Sequence, residues 1–247
     1  RFDPAAVSEY LTRKVPTSDK RVYPFVQLRA YTTSFLRSID METLSLQEDV
    51  RLGHDVYLRV YPVSESLGSS RSYFGTYAAA QYTWELGDGY ARTNVSSTTE
   101  AESSRLADAA VAASARIVTP RLGFGRLVFD ASGINRYRNF LNRRSVVGGD
   151  TGLRGYPTAF FDGKDALSYN LEFRTHPLHI STVQVGGAAF FDSGGAFDGF
   201  QRVELHQAVG GGLRVLFPQL DRLVFRVDVG VPLAPHGLPA GAGPVQY

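Results

Sequence analysis

Along most of this chain apolar and polar residues alternate with a period of two, the spacing of a β-strand with unlike faces. Val22, Val26, Leu28 and Ala30 share one face, with Gln27 and Arg29 on the other. Val50, Leu52, Val56, Leu58 and Val60 alternate with Arg51, Asp55 and Arg59, and Phe74, Ala78, Ala80, Tyr82 and Trp84 with Arg71, Gln81 and Glu85. The alternation weakens over 105–118 and is sharpest towards the C-terminus. There Leu167, Tyr169, Leu171 and Phe173 oppose Ser168, Asn170, Glu172 and Arg174. Val183, Val185, Ala189 and Phe191 oppose Thr182, Gln184 and Asp192. Val209, Leu213, Val215 and Phe217 oppose Arg214, and Leu223, Phe225, Val227, Val229 and Val231 oppose Arg222, Arg226 and Asp228. The pattern predicts about ten strands.

Residues 1–19 read differently. Asp3-Pro4 is an N-cap with proline at the first helical position, and predicts a short helix or linker, helical to about Lys14 and stopped by Pro16. The remainder, 20–247, reads as one β unit. Leu86-Gly87-Asp88-Gly89 signals a tight turn, 98–104 a solvated loop, and a phase slip near Gly125 a bulge. Short turns (87–88, 118–121, 176–181, 218–221) alternate with longer loops (63–71, 98–104, 138–165, 193–206). A soluble sandwich would alternate in the same way with its apolar face inward. The unequal connections favour an all-β, antiparallel transmembrane β-barrel, whose two rims face different compartments. The connection 36–48 is too long for the short-turn rim, and the pattern offers no account of it. The last strand ends at Val231-Pro232-Leu233 ahead of a Gly/Pro/Ala-rich stretch. The barrel is therefore expected to be partial, without its closing strand and several early ones.

Composition narrows the classes. The 247 residues are 43% hydrophobic and 20% charged, with 25 Gly, 13 Tyr and 16 Phe, as in a turn-rich, aromatic-rich β protein. No run of about 18 apolar residues is present, which excludes a transmembrane helix but not spanning strands of about 9–11 residues. A net charge of +2 gives no reason to expect nucleic acid as a partner. The absence of cysteine excludes disulfides and thiolate metal sites and leaves the compartment open. His176 and His179 stand three apart, but Pro177 lies between them, so the histidines show no metal spacing. There is no GxSxG with triad partners, no P-loop and no GxGxxG opening a helix; Gly123-Phe124-Gly125 reads as a strand pattern. The chain is expected to have no active site, metal or cofactor. It starts at Arg1 with neither an initiator Met nor a signal peptide, and reads as mature, excised or incomplete.

The densest chemistry lies in 148–156, Gly-Gly-Asp-Thr-Gly-Leu-Arg-Gly-Tyr. Glycines let that backbone turn tightly, and the loop 138–165 is long enough to fold inward. Arg154 presents a planar fork of donors suited to carboxylates. Glu172 and Asp192 lie on the polar faces of the next two strands, where one arginine could reach both. A dry site would make loss of the arginine cost about 3–5 kcal/mol, and a wet one about 0–1 kcal/mol. Tyr156 and Phe160-Phe161 fit either packing against the wall or an external position. Arg174, Arg214, Arg226 and Asp228 read as ordinary lumen-lining charges.

Four blocks in order resemble the BamA/TamA-type barrels of the bacterial surface antigen family. Gly148-Gly149-Asp150 with Leu153-Arg154-Gly155-Tyr156 is similar to that family's (V/L)RG(F/Y) loop. Ala166–Pro177 resembles its glutamate-bearing strand, and Ala188–Gly195 its FFDxG strand. Gly210–Pro218 with Leu223–Leu233 resembles the last hairpin before the closing strand. The likeness is specific over 122–233 and loose over 20–120. It implies an inward loop locked by Arg154 against Glu172 and Asp192, with Leu153, Gly155 and Tyr156 completing the motif. It implies a bacterial outer-membrane protein, not an enzyme, that inserts other β-barrels or passes polypeptides across the membrane. The implied partners are outer-membrane lipid, client β-barrels or secreted polypeptides, and assembly-complex lipoproteins. Two alternatives stay open: a barrel anchoring an upstream patatin-like lipase domain, and a passive porin or soluble β protein.

Overall fold

The structure is a computed structural model and describes residues 3–220, 223–234 and 245–246. It opens with α1 (Pro4–Lys14), where the Asp3 carboxylate accepts a hydrogen bond from the amide of Ala5 and Pro4 fills the first turn. The expected helix and its limit are therefore present.

The strands are β1 (Val26–Tyr31), β2 (Phe35–Ile39), β3 (Gln47–Arg51), β4 (Gly53–Val63), β5 (Tyr73–Leu86), β6 (Gly89–Glu102), β7 (Arg105–Val118) and β8 (Gly125–Asn139). They continue as β9 (Ser145–Val147), β10 (Phe161–Gly163), β11 (Asp165–Thr175), β12 (Leu178–Ile180), β13 (Val183–Phe197), β14 (His206–Leu216), β15 (Val224–Pro232) and β16 (Val245–Gln246). One large antiparallel sheet runs β1-β4-β5-β6-β7-β8-β11-β13-β14-β15-β16, with β12 also on β13. Two hairpins, β2–β3 and β9–β10, stand off this path. Strand neighbours in sequence are neighbours in space, as short connections dictate.

The strands differ from expectation in several places, and the run 50–61 is split at Leu52 between β3 and β4. The polar run 98–104 is not a loop: β6 continues to Glu102, and its Thr98 and Thr99 pair with Ala110 and Ala109. Serine and threonine fit a pleated strand, so polarity alone was a poor marker of a break. The irregularities fall at Glu100/Ala101 and Ala109/Val111 rather than near Gly125. Gly123, with φ of 59°, belongs to the turn closed by the Leu122–Gly125 bridge, not to a strand.

The two faces of the sheet are chemically opposite. Leu28, Leu58, Val95, Leu171, Leu213, Phe225 and Val227 are exposed on one face, Phe225 by 53%. Phe191 beside Leu171 is half-buried. The other face buries Glu100, Asp108, Arg126, Glu172, Asp192 and Asp228. The sheet also curves. Acids on β11, β13 and β15 all contact the guanidinium of Arg154. In a flat sheet those outer strands would lie about 14 Å apart. The charged face is the concave one.

Both ends of the concave face carry chain. At the long-loop end, Thr17 donates to the Leu141 carbonyl, and Lys14 and Arg144 hold Asp162. There Arg71 bridges Asp19 and Glu100, and Arg21 also reaches Glu100. At the short-turn end lies the β2–β3 hairpin, the connection that had no account from the sequence. Its Leu36 and Met41 pack on Tyr90, Val118 and Val128, apolar residues of the mostly polar concave face.

Candidate functional site

The loop between β8 and β11 first forms the β9–β10 hairpin, in which Val147 pairs with Phe161. Residues 148–160 then turn inward. The amide of Gly149 donates to the Tyr156 carbonyl, and bridges join Gly148 to Thr151 and Gly149 to Leu153. At Gly155, φ is +95°, and a Cβ there would meet the backbone of Gly230 at 3.2 Å. Glycine is required on both counts: a left-handed backbone and a close approach to β15.

This turn delivers Arg154 to the concave wall. Its Nε and Nη2 donate to the two oxygens of Asp192 at 2.7 and 2.8 Å. Its own amide also donates to Asp192, at 3.0 Å. Nη1 donates to Glu172 at 2.6 Å and to Asp228 at 3.0 Å. The guanidinium carbon lies 3.5 Å from the centroid of the Phe190 ring. Bidentate pairing and stacking are the two contacts that arginine makes and lysine cannot copy.

The network extends past the residues expected to form it. Arg214 donates to Asp228 at 2.9 Å and to Glu172 at 2.7 Å, and Arg174 donates to Glu172 at 2.7 Å. Arg154, Arg214, Glu172, Asp192 and Asp228 are all buried. The three arginines and three acids balance in charge, which is what a buried ionic cluster needs to persist. Arg174, Arg214 and Asp228 are thus members of the cluster, correcting their reading as ordinary wall charges. Arg226 fits that reading better, being half-exposed and reaching Asp228 at 3.2 Å and Asp150 at 3.3 Å. Parity already put Asp228 in the inward phase with Glu172 and Asp192, but the intervening strand hid their proximity.

The wall is shaped to receive these groups. A Cβ at Gly212 would lie 1.8 Å from Asp228 Oδ1, and one at Gly210 would lie 2.3 Å from the Phe190 ring. Two glycines of the Gly210–Gly212 run therefore leave the volume that the carboxylate and the ring occupy.

Leu153 and Tyr156 are fully buried. They pack with Val147 and Ala208, and Phe160 and Phe161 lie against them. Phe161 stacks on His206 at 3.9 Å, and the Tyr156 hydroxyl donates to the Ala234 carbonyl at 2.6 Å. Phe160-Phe161 thus pack against the loop and the wall. All six expected residues, Leu153, Arg154, Gly155, Tyr156, Glu172 and Asp192, meet at one place. A cavity of about 130 Å³ remains beside them, lined in part by Asp150, Asn170 and Arg226.

No protein-family model matches the chain, and no curated protein matches it. The geometry of the loop and its cluster is accordingly what the functional reading rests on. A larger groove of about 520 Å³ runs beside the loop, lined by small polar and apolar side chains such as Asn94, Ser114, Ser132 and Ser168. With an ionic cluster neutralised internally and a groove of hydroxyls and alanines beside it, the arrangement is suited to holding a loop.

Proposed function

We propose that this chain is the barrel part of a bacterial outer-membrane protein of the assembly or polypeptide-translocation family. In this reading the convex face meets lipid, and the concave face encloses an aqueous lumen. The loop 138–165 folds into that lumen and is locked there by Arg154. Client β-barrels or secreted polypeptides would be the cargo, and outer-membrane lipid and assembly lipoproteins the partners. One observation carries the reading: a single loop arginine satisfies carboxylates from three strands on the charged side of a sheet whose other side is apolar and exposed. A soluble protein has no reason to bury its charges and display Leu171 and Phe225; lipid supplies one. No bond-making chemistry is required. An open strand edge such as β1, paired with β4 alone among the described residues, is a template for a client strand.

The test is Arg154→Ala in the outer membrane of a Gram-negative bacterium. Removing the guanidinium strands buried carboxylates and should cost about 3–5 kcal/mol. The expected readouts are a lower temperature for loss of the compact band on unheated gels, faster cleavage of 148–160 by added protease, and reduced assembly activity. Wild-type behaviour in all three would defeat the lock.

A further inference from the structure

The β2–β3 hairpin is built as a separate body. The Glu48 carboxylate accepts hydrogen bonds from the amides of Met41, Glu42 and Thr43 at 2.9–3.1 Å, and from the Thr43 hydroxyl at 2.8 Å. Asp40 accepts from the amide of Ser45 at 2.5 Å. The tip 40–46 therefore holds its shape without help from the wall. Its connections to the sheet are short, Thr32–Ser34 on one side and Leu52 alone on the other, and Gly53, which opens β4, has φ of +79°.

What fixes this body in place is a set of wall side chains at the short-turn end. Arg126, itself buried, donates to the Ser38 hydroxyl at 3.2 Å and to the Ile39 carbonyl at 3.0 Å. Arg174 donates to the Met41 carbonyl at 2.7 Å and to Glu42 at 3.3 Å, and Arg116 pairs with Glu42 as well. Ser45 bonds His179 at 3.2 Å, and Leu44 lies over Gly186. Wall residues from β7, β8, β11, β12 and β13 thus converge on one inserted tip. Arg174 also holds Glu172, which holds Arg154. The two inserted segments, from opposite ends of the sheet, share neighbouring inward positions of β11.

We propose that residues 35–51 are a resident plug that closes the short-turn mouth of the lumen, with Arg174 coupling its release to the locked loop. The inference rests on the barrel reading above. The hairpin would leave as a unit because its internal bonds survive removal; water can replace its polar bonds to the wall, and opening must also part Leu36 and Met41 from Tyr90, Val118 and Val128. Loss of the plug frees Arg174 and alters the charge balance around Glu172, so the loop loosens when the mouth opens.

The experiment uses the full-length protein reconstituted in planar bilayers, with conductance as the readout. Arg174→Ala is combined with Leu44→Cys and Gly186→Cys, the only thiols in a chain that has none. A short, reductant-cleavable bis-thiosulfonate then bridges the hairpin to β13. The bridged protein is expected to conduct poorly, and reduction to raise conductance several-fold. A second variant replaces 35–51 with a short Gly/Ser linker and should conduct like the reduced protein. Equal conductance before and after reduction overturns the plug. Absence of Trp84 quenching by brominated lipid, showing that the protein never entered the bilayer, overturns the barrel reading and the plug with it.

Discussion

Each side chain at the lock is defined by the space its neighbours leave. Asp228 fits because residue 212 has no Cβ, and Phe190 fits because residue 210 has none. Gly212→Ala should therefore push the Asp228 carboxylate off both arginines and cost about 1–3 kcal/mol through overpacking. Gly187→Ala is the control, since a Cβ there would meet nothing nearer than 3.7 Å. Thermal unfolding in detergent checks the pair; equal midpoints would show that the cluster tolerates a displaced carboxylate. Arg154, Glu172 and Asp192 were legible because parity and a long glycine loop point to them. Asp228 and Arg214 were not, because burial in a shared network depends on curvature, which no periodicity reports. Phe190 was missed for a related reason. It is an apolar residue on the polar face, and only a stacked guanidinium explains it.

Among the elements, α1 and the β9–β10 hairpin are joined by one exposed acid. Partial burial raises the Asp162 carboxyl, but hydrogen bonds from Lys14 and Arg144 outweigh it and hold its pKa below the ordinary 3.8. A carboxyl that titrates lower when folded contributes fully above the unfolded value, and the contribution drains away as pH falls through the lower folded one. Hydrogen-exchange protection at 12–17 and 142–144, corrected for intrinsic rates, should thus be flat down to about pH 4 and fall below it. Asp162→Asn should start at the weaker level and show no such step; an identical pH profile would remove the strap. Most strands could be read from alternation, and α1 from its cap and prolines. The β2–β3 hairpin could not, because it alternates like its neighbours while leaving the sheet. Its place is set by Arg126 and Arg174, which lie more than 70 residues further along the chain.

For the molecule as a whole, the arrangement of faces decides the solvent it requires. The single tryptophan, Trp84, lies on the apolar face near the short-turn end and is 45% exposed. In the proposed membrane orientation this level would be an interface, where aromatic residues anchor. In vesicles, lipids brominated near the headgroup should quench Trp84 more strongly than lipids brominated near the chain ends. Quenching by neither would place this face away from lipid and return the chain to the soluble class.

Strand length is unequal around the sheet: β5 to β8 and β13 run 14 or 15 residues, whereas β14 has 11 and β15 has 9. At about 3.3 Å per residue and a tilt of about 40°, 14 residues rise about 35 Å and 9 rise about 23 Å. Hydrocarbon about 30 Å deep fits neither height. If the sheet lies in a membrane as proposed, acyl chains would stretch beside the long strands and compress beside β15, which would make that strand the place where the bilayer is thinnest and cheapest to perforate.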